Sequence, residues 1–334
     1  FHISAICFHI MDVLSIFSSD IITHSINSIK NKYIYMYAEV SYMAGIKCEL
    51  VRIETKDNLE LQGLLYEPKI KTGKILMHTH AWIGNFYENL FIDYIAKEAI
   101  AKGFAFLTYN NRGAGIITDF IKKEKEKRAY FRSGGSIEIF EDCIIDISAG
   151  IDFVSQRGYK QIILEGHSLG CQKIAFYEAK KNDRRIKAIV LLSPIDDIAY
   201  VRRLLGDKYD SLLKTAQEMK EKGDGNNLIP QNMAFYPLMS VNRYLDLMDP
   251  ATTHGNILNY SDNLKEIKKI SKPILAIFGS NDDYENQPQK TLALIEKKLR
   301  WDTCLIQNTD HWFFGQEEKL SNSIFSWIEQ GKIM

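Results

Sequence analysis

The fold class of this chain is decided by residues 161–172, which read QIILEGHSLGCQ. Their apolar part, residues 162–164, predicts a buried strand, and residues 172–181 have the spacing of a helix. Between the two, Gly166-His167-Ser168-Leu169-Gly170 fits the pattern G-x-S-x-G. A serine on such a tight strand-to-helix turn holds its hydroxyl above the sheet edge, and the following helix points its N–H groups at developing negative charge. We therefore predict that Ser168 is a nucleophile.

Outward from this stretch, short apolar segments alternate with segments of helical spacing. We predict strands at residues 75–77, 104–109, 186–192, 273–278 and 303–306. We predict helices at residues 87–101, 136–153, 292–299 and 319–328. Strands that are apolar throughout are typical of a mostly parallel sheet covered by helices on both faces, so the predicted fold class is α/β. Residues 48–55 and 59–64 alternate around the turn Lys56-Asp57-Asn58, which predicts an antiparallel hairpin at the start of the sheet.

The alternation breaks once, and this break sets the predicted domain organisation. Residues 196–270 look helical and contain several glycines and prolines, so we predict a helical lid inserted into a core of residues 46–195 and 271–334. Residues 1–45 are treated as an N-terminal extension, which we expect to reflect a fragment boundary or upstream read-through with the start at Met36 or Met43. The mixed-sign run at residues 122–128 is expected to be a solvated helix or loop.

Composition excludes several classes of protein. The 334 residues include 42 Lys and Arg and 42 Asp and Glu, and this zero net charge argues against a dedicated nucleic-acid binder. The five cysteines include no C-x-x-C pair, which favours reduced thiols and a cytoplasmic location over a disulfide framework or a zinc site. The apolar run at residues 3–17 is shorter than the ~20 residues of a spanning helix. We expect no signal peptide, no membrane span, no metal or cofactor, and a monomer or weak homo-oligomer.

Four further motifs, in the same order along the chain, carry a resemblance to the α/β-hydrolases. The stretch His80-Ala81-Trp82-Ile83-Gly84-Asn85 resembles the H-G-x-x-G-N loop of that family, and Asn110-Asn111-Arg112-Gly113-Ala114-Gly115 resembles its D-x-R-G-x-G loop. Gly279-Ser280-Asn281-Asp282 resembles G-x-x-D, and Asp310-His311-Trp312-Phe313 resembles the loop with the catalytic histidine. Ala81 and Asn110 depart from the family pattern. Residues 135–142 and 243–247 are similar to a branch that includes fungal siderophore esterases.

The resemblance implies a Ser-Asp-His triad in that chain order. His254 and His311 are the histidines that follow Ser168, and His311 stands between the last predicted strand and the closing helix, where the family has its base. Asp282 matches the G-x-x-D spacing of the acid, with Asp283 and the pair Asp196 and Asp197 as alternatives. The backbone N–H groups of Trp82 and Leu169 are the expected oxyanion hole. The expected pocket residues are Phe86, Tyr236 and Phe313.

The predicted function is therefore a serine hydrolase of carboxylesterase type, which cleaves a small acyl ester or thioester through an acyl-enzyme on Ser168. Two alternatives remain open at this point. His78 and His80 form H-x-H on a predicted strand and would face the same side, so they could serve a metal-dependent hydrolase. A non-enzymatic binding protein with the same fold is the other alternative, because fold does not imply function.

Overall fold

The computed structural model describes residues 46–331 except Glu126 and Pro237, together with residue 333. Contacts divide the chain into Phe1–Ile46 and Lys47–Met334, and every element below belongs to the second unit. The predicted N-terminal extension at residues 1–45 lies outside the described residues. Within the described part of the chain, no helix has the length and apolar character needed to cross a membrane. The cytoplasmic location stays a prediction.

The strands are β1 Cys48–Glu54, β2 Leu59–Tyr66, β3 Lys74–Thr79, β4 Ala105–Tyr109, β5 Thr118–Glu124, β6 Lys127–Ser133, β7 Gln161–His167, β8 Ile186–Leu192, β9 Ile274–Gly279 and β10 Asp302–Ile306. They form one mixed sheet in the order β10-β9-β8-β7-β3-β4-β2-β5-β6, with β1 paired to β2. The five pairings from β10 to β4 are parallel, whereas those of β2 with β1, β4 and β5 and that of β5 with β6 are antiparallel. The predicted α/β class with an antiparallel N-terminal hairpin is confirmed.

The charged run at residues 122–128 is not the solvated helix or loop that we predicted. Its described residues, 122–125 and 127–128, lie at the tip of the hairpin made by β5 and β6, with Lys123 opposite Arg128. Phe120 is the buried side chain of β5, while the charged residues around the tip are exposed or half-buried. Exposed charges suit an edge strand because they discourage pairing with another chain. The prediction that these charges face solvent was right, but the charge pattern did not distinguish a β-hairpin from a helix.

Helices flank the sheet in the order expected from the alternation. The predicted helix at residues 136–153 begins later, as a 3₁₀ turn at Phe140–Asp142 that continues into the helix Cys143–Gln156. The helices are α1 Phe91–Ala101, α2 Cys143–Gln156, α3 Leu169–Lys181, α4 Asp197–Leu205, α5 Tyr209–Glu221, α6 Val241–Met248, α7 Thr253–Ile257, α8 Pro288–Leu299 and α9 Glu317–Gln330.

Residues 196–270, here called the helical insertion, connect β8 to β9 and contain α4 to α7. The insertion has a buried apolar cluster of its own, separate from the cluster around the sheet. Val241, Tyr244 and Met248 of α6 lie in that cluster, and Trp82 packs against both clusters. The insertion therefore reaches the loop that follows β3. Its action as a lid stays a prediction.

Candidate active site

Ser168 stands at the junction of β7 and α3 with φ 52° and ψ −121°. A positive φ is strained for a residue with a Cβ, and such strain persists where the surrounding structure holds it. The two glycines of the motif allow the turn to be this tight. A Cβ at Gly166 would lie 2.5 Å from the Gly170 carbonyl carbon, and a Cβ at Gly170 would overlap with the Thr79 carbonyl oxygen. The sequence prediction of a strand, a tight turn and a helix therefore has a direct steric basis.

His311 and Asp282 form a buried pair. The His311 Nδ1 atom lies 3.0 Å from Oδ1 and 2.9 Å from Oδ2 of Asp282, and both residues are less than 5% exposed. Oδ1 also accepts hydrogen bonds from the backbone amides of Tyr284 and Glu285, at 2.9 and 3.1 Å. A carboxylate held in this way favours the tautomer with the proton on Nδ1. Nε2 then carries the lone pair and is available as a base.

The loop that carries His311 is attached to the elbow by its main chain. The His311 carbonyl accepts a hydrogen bond from His167 Nε2 at 2.9 Å, and His167 is the residue before Ser168. The Ser193 hydroxyl, at the end of β8, lies 3.4 Å from the same carbonyl. Burial lowers the pKa of His167 well below its usual range, so this ring is a neutral donor. These bonds place His311 beside the nucleophile elbow.

The three predicted triad residues are not all joined by hydrogen bonds. Within the described residues, the Ser168 hydroxyl makes no hydrogen bond to the His311 ring, although Asp282 and His311 are bonded. Such catalytic hydrogen bonds are often long in structures without substrate and shorten when it binds. The structure therefore brings His311 and Asp282 together and bonds the His311 loop to His167, the residue before Ser168.

The loop after β3 has the features expected of an oxyanion loop. His80 Nδ1 donates to the Ala81 carbonyl at 2.8 Å, and His80 Nε2 accepts the Asn111 amide at 3.1 Å. Ile83 has a φ of 53°, which is unusual for a β-branched residue. In the described part of the chain, the backbone amides of Trp82 and Leu169 donate no hydrogen bond to another protein group. This leaves the expected oxyanion hole of Trp82 and Leu169 as a prediction.

Three of the four ring nitrogens of the H-x-H pattern have contacts within the protein, whereas His78 Nε2 has no hydrogen-bond partner among the described residues. His78 Nδ1 lies 2.9 Å from Glu165 Oε1, and both side chains are fully buried. Both nitrogens of His80 are used by backbone groups, and burial lowers the pKa of His80 to about 3. Among the residues that the structure describes, no group of three or more His, Cys, Asp or Glu side chains could hold a metal ion. The geometry does not favour the metal alternative.

The alternative acids and the second histidine have other contacts. Asp196 caps α4 through the Ala199 amide and also accepts the Tyr260 amide, and burial raises its pKa to about 6. Asp197 Oδ2 lies 2.7 Å from His254 Nε2.

Both nitrogens of His254 are engaged, because its Nδ1 accepts a hydrogen bond from Arg243 at 2.9 Å and its Nε2 donates to Asp197. A histidine without a free lone pair cannot act as a base. Asp283 is exposed, and partial burial with nearby carboxylates raises its pKa. The contacts therefore favour Asp282 and His311.

Aromatic residues surround the site. The Tyr236 ring of the helical insertion lies 4.8 Å from the Trp82 ring, and Phe86 is half-buried in the same loop. Phe313, which we predicted at the pocket, is fully buried and contacts His167 and Phe91 edge-on, so it supports the site from the core rather than lining an open pocket.

The sequence reasoning missed several residues at the site. The Tyr284 ring lies 4.5 Å from the His311 ring, and its position two residues after Asp282 is the signal that could have found it. It also missed a buried ion pair between Lys173 and Glu138, 2.7 Å apart. The signal for that pair was a lysine, Lys173, among the apolar residues of α3, the helix that follows Ser168.

Comparison with known proteins gives one family match and one curated relative. The family model described as "Protein of unknown function (DUF1749)" matches residues 139–323, more than half of the chain. "Putative esterase/lipase 2" from Mycoplasma pneumoniae is 30% identical over 137 residues, which are 39% of this chain and 49% of that protein. The match thus spans about half the length of the curated relative.

Solved structures share the fold over most of the chain. Est1E from Butyrivibrio proteoclasticus with bound ferulic acid is 17% identical, with a TM-score of 0.59 over 84% of this chain and 98% of its own. A thermostable carboxyl esterase from Bacillus coagulans in complex with glycerol is 13% identical, with a TM-score of 0.59 over 86% of this chain and 100% of its own. At these identities the likeness establishes the fold, which is that of the α/β-hydrolases.

Proposed function

The chain belongs to the family described as "Protein of unknown function (DUF1749)" and has the α/β-hydrolase fold, and from the geometry of its site we propose that it is a serine hydrolase. The proposed reaction is cleavage of a carboxylic ester, or of a thioester, through an acyl-enzyme on Ser168. The names of its relatives, an esterase/lipase and a carboxyl esterase, support ester hydrolysis as the class of reaction.

One observation carries the proposal. The buried pair of His311 and Asp282 is bonded through the His311 carbonyl to His167, the residue that precedes the strained Ser168. A hydroxyl becomes a useful nucleophile when a base is positioned to take its proton. Nε2 of His311 is the nitrogen left for that purpose, because Nδ1 faces Asp282.

The proposed steps follow from these positions. The Ser168 oxygen attacks the carbonyl carbon while His311 Nε2 takes the hydroxyl proton. The amides of Trp82 and Leu169 donate to the oxygen that becomes negative. His311 returns the proton to the leaving alcohol or thiol as the tetrahedral intermediate breaks down to the acyl-enzyme. Water then attacks the acyl carbon by the same route, which releases the acid and restores Ser168.

The aromatic surroundings support a small acyl or aryl ester as the substrate. Trp82 and Tyr236 contact each other across the boundary between the core and the helical insertion, and Tyr284 stands beside His311. Apolar and aromatic walls with few polar groups are typical of small-molecule sites. Phe86 and Tyr236 are the residues that we propose for the pocket wall.

The test uses a fluorophosphonate probe and p-nitrophenyl acetate. We expect the wild-type protein to be labelled at Ser168, and Ser168→Ala to lose both labelling and turnover while it keeps its fold by circular dichroism. Ser155→Ala, which removes a hydroxyl from α2, is the matched control and should keep both. Turnover in Ser168→Ala would contradict the proposal, and so would tight binding of the ester by a wild-type protein that is neither labelled nor active.

A further inference from the structure

Arg243 is the largest fully buried side chain among the described residues, and the mechanism above does not use it. It lies on α6 of the helical insertion. Its Nε donates to the Gly135 carbonyl at 3.2 Å and its Nη1 donates to His254 Nδ1 at 2.9 Å. The nearest carboxylate oxygens, of Glu138 and Asp246, are 3.7 and 3.6 Å away, too far for a good hydrogen bond.

These contacts do not compensate fully for the burial of a guanidinium group. Nη2 of Arg243 has no hydrogen-bond partner among the described residues, and neither has Oε1 of Glu138. A buried ion with imperfect partners is often less stabilising than an apolar side chain of similar volume. On α6, Tyr244 and Leu245 are buried in the apolar cluster of the insertion, whereas Asn242 and Asp246 are polar and half-buried. Its ion contacts therefore do not by themselves account for the burial of this arginine.

Arg243 and the side chain of Trp82, which belongs to the proposed oxyanion loop, donate hydrogen bonds to the same backbone carbonyl. The Gly135 carbonyl accepts Trp82 Nε1 at 2.6 Å in addition to Arg243 Nε. The guanidinium carbon of Arg243 also lies 5.7 Å from the centre of the Trp82 ring, within the range of a cation–π contact. Arg243 therefore contacts the Trp82 ring directly, and it is linked to Trp82 Nε1 through the Gly135 carbonyl that both side chains share.

The loop needs such support because its backbone is strained. Ile83, the residue after Trp82, has a φ of 53°, and a β-branched residue adopts this conformation only where contacts hold it. A Cβ at Gly135 would lie 2.5 Å from Ile83 Cγ2, so the Gly135 turn packs against Ile83 as well. Contacts that hold Trp82 and Ile83 also set the direction of the Trp82 amide.

We propose that Arg243 is a positioning residue that holds the oxyanion loop, through Gly135 and the Trp82 ring, in the orientation that points the Trp82 amide at the oxyanion. This inference rests on the proposed function. Through Arg243, the helical insertion would contribute to stabilisation of the transition state, besides the predicted role of the insertion as a lid.

The test compares Arg243→Met with the wild-type protein on p-nitrophenyl acetate. Loss of one oxyanion donor costs about 10²–10³ in kcat, so a misdirected donor should lower kcat by about 10- to 100-fold. We expect KM to change by less than roughly threefold, because ground-state binding does not use that donor. The inhibition constant of a trifluoromethyl ketone, which forms a tetrahedral oxyanion on the serine, should rise by the same factor as kcat/KM falls.

Four further variants, including Trp82→Phe alone and combined with Arg243→Met, make the result specific. Tyr244 follows Arg243 on α6, and its hydroxyl donates a buried hydrogen bond to the Met233 carbonyl. Tyr244→Phe removes this bond and should leave kcat and the inhibition constant near the wild-type values. Arg243→Lys keeps the charge without the forked donors, so it should recover part of the loss and test the same contact if the methionine variant fails to fold. Trp82→Phe combined with Arg243→Met should cost less than the sum of the two single changes, because both act through one loop.

The proposal is overturned if a folded Arg243→Met or Arg243→Lys has the wild-type kcat and inhibition constant. It is also overturned if Tyr244→Phe loses as much activity, or if the effects of Trp82→Phe and Arg243→Met add. Failure of the proposed function would look different, because a wild-type protein without Ser168-dependent turnover would provide no activity for these variants to change.

Discussion

Replacement of Asp282 by asparagine tests the orientation of His311 with almost no change in shape. Oδ1 of Asp282 accepts two backbone amides, those of Tyr284 and Glu285, and so this position requires an oxygen. The asparagine NH₂ group would therefore take the place of Oδ2, which lies 2.9 Å from His311 Nδ1. A donor at that place favours Nδ1 as the acceptor, because Oδ1, 3.0 Å from Nδ1, already accepts two amides. The proton then shifts towards Nε2, and in that tautomer Nε2 cannot take a proton from Ser168.

The expected loss of kcat is large because the variant favours the tautomer of His311 that carries its proton on Nε2. An asparagine at the triad acid lowers kcat by about 10⁴-fold where this geometry is kept. That factor corresponds to about 5.4 kcal/mol of transition-state stabilisation, at about 1.36 kcal/mol for each factor of ten. The fold should be kept, since both amides retain their acceptor.

The assay is the turnover of p-nitrophenyl acetate by Asp282→Asn and by Asp283→Asn. The second variant is the matched control, because Asp283 is the adjacent and exposed carboxylate. We expect Asp283→Asn to keep kcat within a small factor of the wild type. If Asp282→Asn keeps more than about a tenth of the wild-type kcat, or if Asp283→Asn loses as much, the assignment of Asp282 as the acid is wrong.

Two further predictions concern stability. Burial raises the pKa of Glu178 from 4.5 to about 7, so the folded state holds this proton more tightly and loses the associated stability as pH rises from about 4.5 to 7. Glu178→Gln should therefore be more stable than the wild type by about 1–2 kcal/mol at pH 8 and equal to it near pH 4.5 in urea unfolding; an equal midpoint at both pH values would contradict this. Gly170→Ala should lower the unfolding free energy by about 3 kcal/mol, because its Cβ would overlap with the Thr79 carbonyl, and a variant with unchanged urea midpoint would show that the elbow has room.

Much of the fold could be predicted from the sequence, because buried strands and amphipathic helices leave a local periodic pattern. The strand β7, the turn at Ser168 and the helix α3 were found as a unit, since the strain of that turn and its glycines are local requirements. The hairpin of β5 and β6 was not found, because its charged tip is solvated in either conformation and its pairing is a contact between strands.

The sequence by itself determined the α/β class and the chemistry available at the turn that carries Ser168, since both depend on neighbours within a few residues. Only the tertiary structure showed that His254 and His311 each face an aspartate, and that both nitrogens of His254 are occupied. The burial of Arg243 and its contact with Trp82 could not be predicted from the sequence either. The physical reason is that these contacts join residues that are distant in the chain, 29 positions for His311 and Asp282 and 57 for His254 and Asp197. Their partners are selected by the packing of separate segments, which leaves no local pattern in the sequence.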